Sequence, residues 1–309
     1  AEGTLPGMRS GARPLLVLLL GAAGIAAAAV VLTPPVYRWL LGLDAIDPDE
    51  FLKVLRRLLL FPMLLALFAW LKPWRDGGPR SYGLLGEHAR PSLFVRAWLV
   101  TAAILLALLV WHFLAGWIAW EVPFDTTKAL RRLGRWLAVG FVLSVLEEWF
   151  FRGWLERRLL ARAFAPLSAA LVVALVYAAI HAFKPSRLDI EVTHDAAGAL
   201  RALGWWLTHL MDPVAFGPTF LGLFLFSLVL TAAWRRWRTL WVPIGVHAAG
   251  ITVLRSYGAF TDRDPQRTWA GGKELLDGFP AWLLLIGALI LIIRGGAPNP
   301  GPDEPGSRS

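Results

Sequence analysis

Stretches of about twenty predominantly apolar residues recur from one end of this chain to the other, and that recurrence constrains the fold more than any motif does. A hydrocarbon core of about 30 Å takes about 20 helical residues to cross, and inside it every backbone N–H and C=O must find a partner within the protein. The runs fall at about 14–33, 51–71, 93–120, 136–156, 166–184, 213–233, 239–258 and 279–293. They predict an all-α protein, a polytopic transmembrane helical bundle of about eight spans. Composition agrees: 57% of residues are hydrophobic and 17% charged, outside the range of soluble domains. The net charge of +9 does not imply a nucleic-acid partner, because the arginines flank apolar runs, where their stems snorkel and their heads meet anionic headgroups. Membrane lipids are the partners this charge implies. The first run follows Arg9 and Arg13 like a signal peptide, but it is long for one and is followed by further runs, so a retained helix is expected. Cysteine is absent, which excludes disulfides, thiolate metal sites and cysteine nucleophiles.

The expected organisation is three spans in residues 1–128, a core carrying the chemistry in 129–258, a last span in 259–294 and a disordered Pro- and Gly-rich tail over 295–309. Loops are expected at Pro34-Pro35, Asp44 to Glu50, Asp76 to Pro79 and Gly271-Gly272. The long connection from Lys184 to Asp212 carries Ala199, Leu203, Trp206 and Leu210 at helical spacing, which predicts a helix lying in the interface plane. Basic residues divide about evenly between the two sides of an eight-span arrangement, so the positive-inside rule leaves the orientation open. Many of the 17 tryptophans stand near span ends, as interfacial belts require.

Within this apolar background the stretch S-V-L-E-E-W-F-F-R-G-W-L-E-R-R, residues 144–158, is anomalous. A charge at the centre of a membrane helix costs roughly 2.5–3.5 kcal/mol on insertion scales. Glu148 and Arg152 stand at i and i+4 with the acid first, the order that favours a hydrogen-bonded ion pair. That pairing leaves Glu147 over, rotated by about 100° and free to face a different cavity as a general base. A plain structural salt bridge inside the bundle needs only one of the two carboxylates.

Of six histidines, His181 and His247 sit inside apolar runs among small residues: Ala178, Ala179 and Ala182 around the first, Gly245, Ala248, Ala249 and Gly250 around the second. Such neighbours let helices approach closely or leave room for a ligand. His112 reads as a core or interfacial histidine beside Trp111, and His88, His194 and His209 as solvated loop residues. No H-E-x-x-H, no G-x-S-x-G and no Gly-rich phosphate loop occurs.

The set E-E-x-x-x-R (Glu147, Glu148, Arg152), then Tyr177-x-x-x-His181, then a later His247 flanked by small residues, resembles the CPBP family of intramembrane proteases, which includes the type II CAAX prenyl proteases. The resemblance covers about Ala129 to Tyr257 and implies hydrolysis of a peptide bond near the terminus of a membrane-anchored protein or peptide. It implies that Glu147 activates water, supported by Glu148 and Arg152, while His181 and His247 orient that water and the scissile carbonyl. Cofactors are either none or one divalent metal such as zinc, which Glu147, His181 and His247 would then hold with an open position. The metal-free mechanism is preferred, because a liganding Glu147 would be lost as base. The third family motif reads H-x-x-x-N, and here Ile251 stands where the asparagine would be, with Tyr177, Thr252 or a backbone N–H left to compensate. Ile251 also favours the alternative of a non-catalytic pseudoprotease or immunity-type binding protein. A proton-coupled transporter would require inverted repeats or paired broken spans, and neither is seen. An Ala-, Leu-, Arg- and Trp-rich chain of this kind is expected in a bacterial inner membrane.

Overall fold

The structure, a computed structural model, describes residues 12–71, 84–85, 89–120, 126–160, 164–182, 192–209, 213–257, 261–263, 270–271 and 275–295. The expected loop at Asp76 to Pro79, His88 and the tail beyond Gly295 lie outside the described residues. The chain is an all-α bundle whose helices are α1 (Ala12–Gly42), α2 (Phe51–Leu71), α3 (Ser92–Leu114), α4 (Thr126–Glu148), α5 (Pro166–Ala182), α6 (Ala196–His209), α7 (Pro213–Trp237), α8 (Trp241–Tyr257) and α9 (Phe279–Arg294). Helix α4 continues without a break as a π-helical segment, Trp149–Leu160.

Each of the eight apolar runs overlaps one of these helices, and the long connection contains α6. Three are long and apolar enough to cross a membrane: α1 from Leu20, α3 and the part of α7 from Gly217. Helices α5 and α9 are apolar but shorter. Large side chains such as Leu99, Val110 and Leu114 on α3 are exposed, which hydrocarbon solvates at no cost.

Two local expectations fail. Pro34 and Pro35 lie inside α1 rather than in a loop. They remove the backbone donors that would meet the Val30 and Val31 carbonyls; beside them the Thr33 hydroxyl donates to the Ala29 carbonyl at 2.6 Å and Arg38 Nε to the Pro34 carbonyl at 3.3 Å. The third run ends at Leu114, and Ile118–Trp120 forms a short strand, β1, antiparallel to β2 (Thr261–Arg263). Gly116, at φ +69°, makes the turn between α3 and β1 that a β-carbon would strain.

The chain forms two compact units. One comprises α1, α2 and α6, whose core packs Tyr37, Phe51, Val54, Leu55, Ala199, Ala202 and Trp206. His194, expected to be a solvated loop residue, is exposed but stacks on Phe51 at 5.0 Å and tilts against Tyr37 at 4.9 Å. Asp195 then caps α6, its carboxylate accepting the Gly198 N–H at 2.7 Å.

The other unit holds every candidate site residue. Helix α8 lies against both α3 and α4. A β-carbon on Gly245 would stand 2.5 Å from the Phe94 carbonyl oxygen of α3, and one on Gly140 of α4 would stand 3.2 Å from the Ala248 carbonyl oxygen. The small residues around His247 therefore serve close helix packing, the first of the two roles their size allows. His112 is a core histidine, buried with its ring nitrogens 2.7 Å and 3.1 Å from the carbonyl oxygens of Leu108 and Ala270.

Candidate active site

Helix α4 delivers Glu147 and Glu148 just before its backbone widens into the π-helical segment, which carries Arg152. Helix α5 delivers Tyr177 and His181, one turn apart, and α8 delivers His247. All five residues marked in the sequence meet in one cluster. Arg152 Nη1 donates to Glu148 Oε1 at 3.0 Å, and both side chains are fully buried. The same carboxylate oxygen accepts from His247 Nδ1 at 2.8 Å. Glu147 takes the other direction expected of it: its Oε2 lies 3.0 Å from His181 Nε2 and 3.8 Å from His247 Nε2. Glu147 and His181 keep about a quarter of their side-chain surface exposed, at 25% and 27%, whereas His247 keeps 5%. The accessible part of the cluster is thus the Glu147–His181 pair, and the dry part is the Glu148–Arg152–His247 triad.

Hydrogen-bond logic assigns the protons. His247 Nδ1 faces a carboxylate, so it carries the hydrogen, and Nε2 is left as an acceptor for the Tyr177 hydroxyl at 3.2 Å. His181 Nδ1 donates to the Tyr177 carbonyl at 2.9 Å. Its Nε2 then either donates to ionised Glu147 or accepts from protonated Glu147, two states that differ by the place of one proton. The Tyr177 ring stacks on His181 with centroids 4.1 Å apart and lies 5.0 Å from the Arg152 guanidinium carbon.

What holds Arg152 on its other side is not anticipated by the sequence motif. Its Nη2 donates to Ser227 Oγ at 2.7 Å and to the Ser227 carbonyl at 3.1 Å. One step further, buried Glu156 accepts from Thr231 Oγ1 at 3.2 Å and from Arg235 Nε at 2.8 Å. Glu148, Arg152 and Glu156 are spaced by four, as are Ser227, Thr231 and Arg235 on α7, so two facing polar ladders join the helices. The spacing by four within each helix is visible in the sequence, but only packing pairs one ladder with the other.

Two of the three substitutes for the absent asparagine can be located. Thr252 Oγ1 lies 2.8 Å from the Ala248 carbonyl of its own helix and 3.3 Å from the Trp136 carbonyl of α4, so its single hydrogen is engaged. The Tyr177 hydroxyl lies at the centre of the cluster. For a metal, the donors would be Glu147, His181 and His247. As they stand, Glu147 is hydrogen-bonded to His181 and the one lone pair of His247 accepts Tyr177; among the described residues no group of three His, Asp or Glu is disposed to hold an ion.

No curated protein and no solved structure matches the chain. Residues 129–251, which contain this whole cluster, match the family described as type II CAAX prenyl endopeptidase Rce1-like.

Proposed function

We propose that the chain is an intramembrane endopeptidase that hydrolyses a peptide bond near the terminus of a membrane-anchored protein or peptide. The observation that supports this most is Glu147, a partly exposed carboxylate with two imidazole nitrogens at 3.0 Å and 3.8 Å in an otherwise buried polar cluster. In this reading water binds beside Glu147, which takes one of its protons as the water oxygen bonds to the scissile carbonyl carbon. The second water O–H is held by His247 Nε2, fixed in that tautomer by Glu148, while the Tyr177 hydroxyl turns from His247 to the carbonyl oxygen as it becomes an oxyanion. Protonated His181 donates to Glu147 and keeps it in place. Glu147 then passes its proton to the leaving nitrogen, the C–N bond breaks, and a new carboxyl end and a new amine result. No step is routed through a metal.

The family description brings the prenylated C-terminal tail to this chain as one substrate type; a membrane-anchored C-terminal helix is the other. In this reading the chain is a multi-pass protein of a bacterial inner membrane, and substrate enters sideways from the bilayer. Ile251 favours a second reading, a binding protein without turnover. The test is reconstitution in liposomes with two peptides, one prenylated at its C-terminus and one ending in an apolar helix, and mass spectrometry of the products. Cleavage by the wild type, resistant to chelators and lost in Glu147→Gln, supports the proposal. Absence of cleavage of either peptide, together with equal binding of both by wild type and Glu147→Gln, would establish the second reading.

A further inference from the structure

Helices α3, α7, α8 and α9 surround a cavity of about 490 Å³ that includes none of the five site residues. Of its 23 lining residues, only Arg96, Thr101 and Trp237 carry a polar atom in the side chain. A water molecule needs two to four polar partners to be held, so this space does not retain water. Left empty, its walls would forfeit dispersion contacts on every side. The molecule at hand is hydrocarbon.

The polar residues say which hydrocarbon. Helices α3 and α8 begin, and α7 and α9 end, at the same level: Phe94 packs edge-on to Trp241 at 6.2 Å, and Arg236 donates to the Ile292 carbonyl at 3.1 Å. Arg96 and Trp237 line the cavity at that level. Arg236, Arg238 and Arg294 stand there too, and residues 92–98, 231–245 and 288–295 contain no Asp or Glu. A dry channel with an aromatic and cationic rim has the polarity of one phospholipid chain below an anionic headgroup.

We propose that this cavity binds an acyl chain of an anionic phospholipid, with the lipid phosphate against Arg96. The inference does not depend on the proposed hydrolysis. The cavity adjoins the candidate active site through Val246, next to His247 in the chain, and through Phe226, which stands edge-on to His247 with centroids 5.6 Å apart.

The test is native mass spectrometry of the purified full chain after exchange into detergent with equal amounts of phosphatidylglycerol and phosphatidylcholine of the same chain length. One lipid retained per chain is expected, with phosphatidylglycerol favoured about fivefold, the effect of roughly one basic contact. Arg96→Gln should reduce that preference to near unity while retention persists. Ala288→Phe should reduce retention of both lipids, and Val100→Phe, from the opposite wall, is the second filling variant should the first fail to fold. Equal retention of the two lipids by the wild type, or undiminished retention in a folded filling variant, would overturn the proposal.

Discussion

The Glu148–Arg152 pair allows a quantitative prediction. Both groups are fully buried; Arg152 is held by Glu148 Oε1 at 3.0 Å and by Ser227, while Glu148 is held by Arg152 and by His247 Nδ1 at 2.8 Å. Glu148→Gln leaves a buried guanidinium facing a neutral amide, and Arg152→Met leaves a buried carboxylate facing one imidazole N–H. Each should cost about 3–5 kcal/mol, the penalty of stranding one member of a buried ion pair. The double variant strands neither charge, and glutamine can still accept from His247. It should therefore cost no more than the worse single variant, a coupling of about 3 kcal/mol or more. The assay is equilibrium unfolding in mixed micelles followed by tryptophan fluorescence, for which the 17 tryptophans provide ample signal. Single-variant costs that add to within about 0.5 kcal/mol in the double variant would refute the claim that the two charges exist for each other.

Three further outcomes are expected. Glu147→Gln preserves shape and, at 25% exposure, strands no charge; turnover should fall by about 10²- to 10⁴-fold while the unfolding midpoint stays in place, as product analysis and melting would show. Tyr177→Phe should lower kcat by about 10²-fold by removing the oxyanion donor, and the loss should shrink in an Ile251→Asn background, where an amide returns one turn from His247; an equal loss in both backgrounds would assign the hydroxyl another role. Asp195 lies outside the spans, and the Gly198 N–H and Thr193 hydroxyl hold its carboxyl below the usual range. Its folded value is the lower one, so its contribution to α6 is present above the unfolded value and is lost as pH falls through the folded one. Relative to the intrinsic rate at each pH, protection of the amides of residues 196–199 should fall on acidification in the wild type, and that dependence should be lost in Asp195→Asn.

How much is legible in the sequence depends on how local each cause is. The Glu148–Arg152 pair can be read because i,i+4 spacing alone brings the groups together, and His181 and His247 because an imidazole in an apolar run is costly unless a polar partner or a reaction requires it. Ser227 cannot, since a lone serine in F-L-F-S-L-V-L usually bonds its own helix, and only tertiary packing brings Arg152 to it. Glu156 and Arg235 sit near run ends, where charges ordinarily meet water and headgroups; their burial against each other depends on how the π-helical segment meets α7. Pro34-Pro35 and Ile118–Trp120 mislead for a common reason. Proline and aliphatic residues carry the same local preferences in a membrane helix, a loop or a short strand, and for Ile118–Trp120 the partner that decides, Thr261–Arg263, is distant in sequence.

If Glu147 activates water for direct attack, the oxygen that enters the product comes from solvent in the first turnover. Single-turnover cleavage in heavy-oxygen water tests it most directly, with the label located by mass spectrometry in both product and protein. One heavy oxygen is expected in the new carboxyl end and none in the Glu147 side chain. Label in Glu147, or an unlabelled first-turnover product, would contradict it by showing that the carboxylate attacks the carbonyl itself.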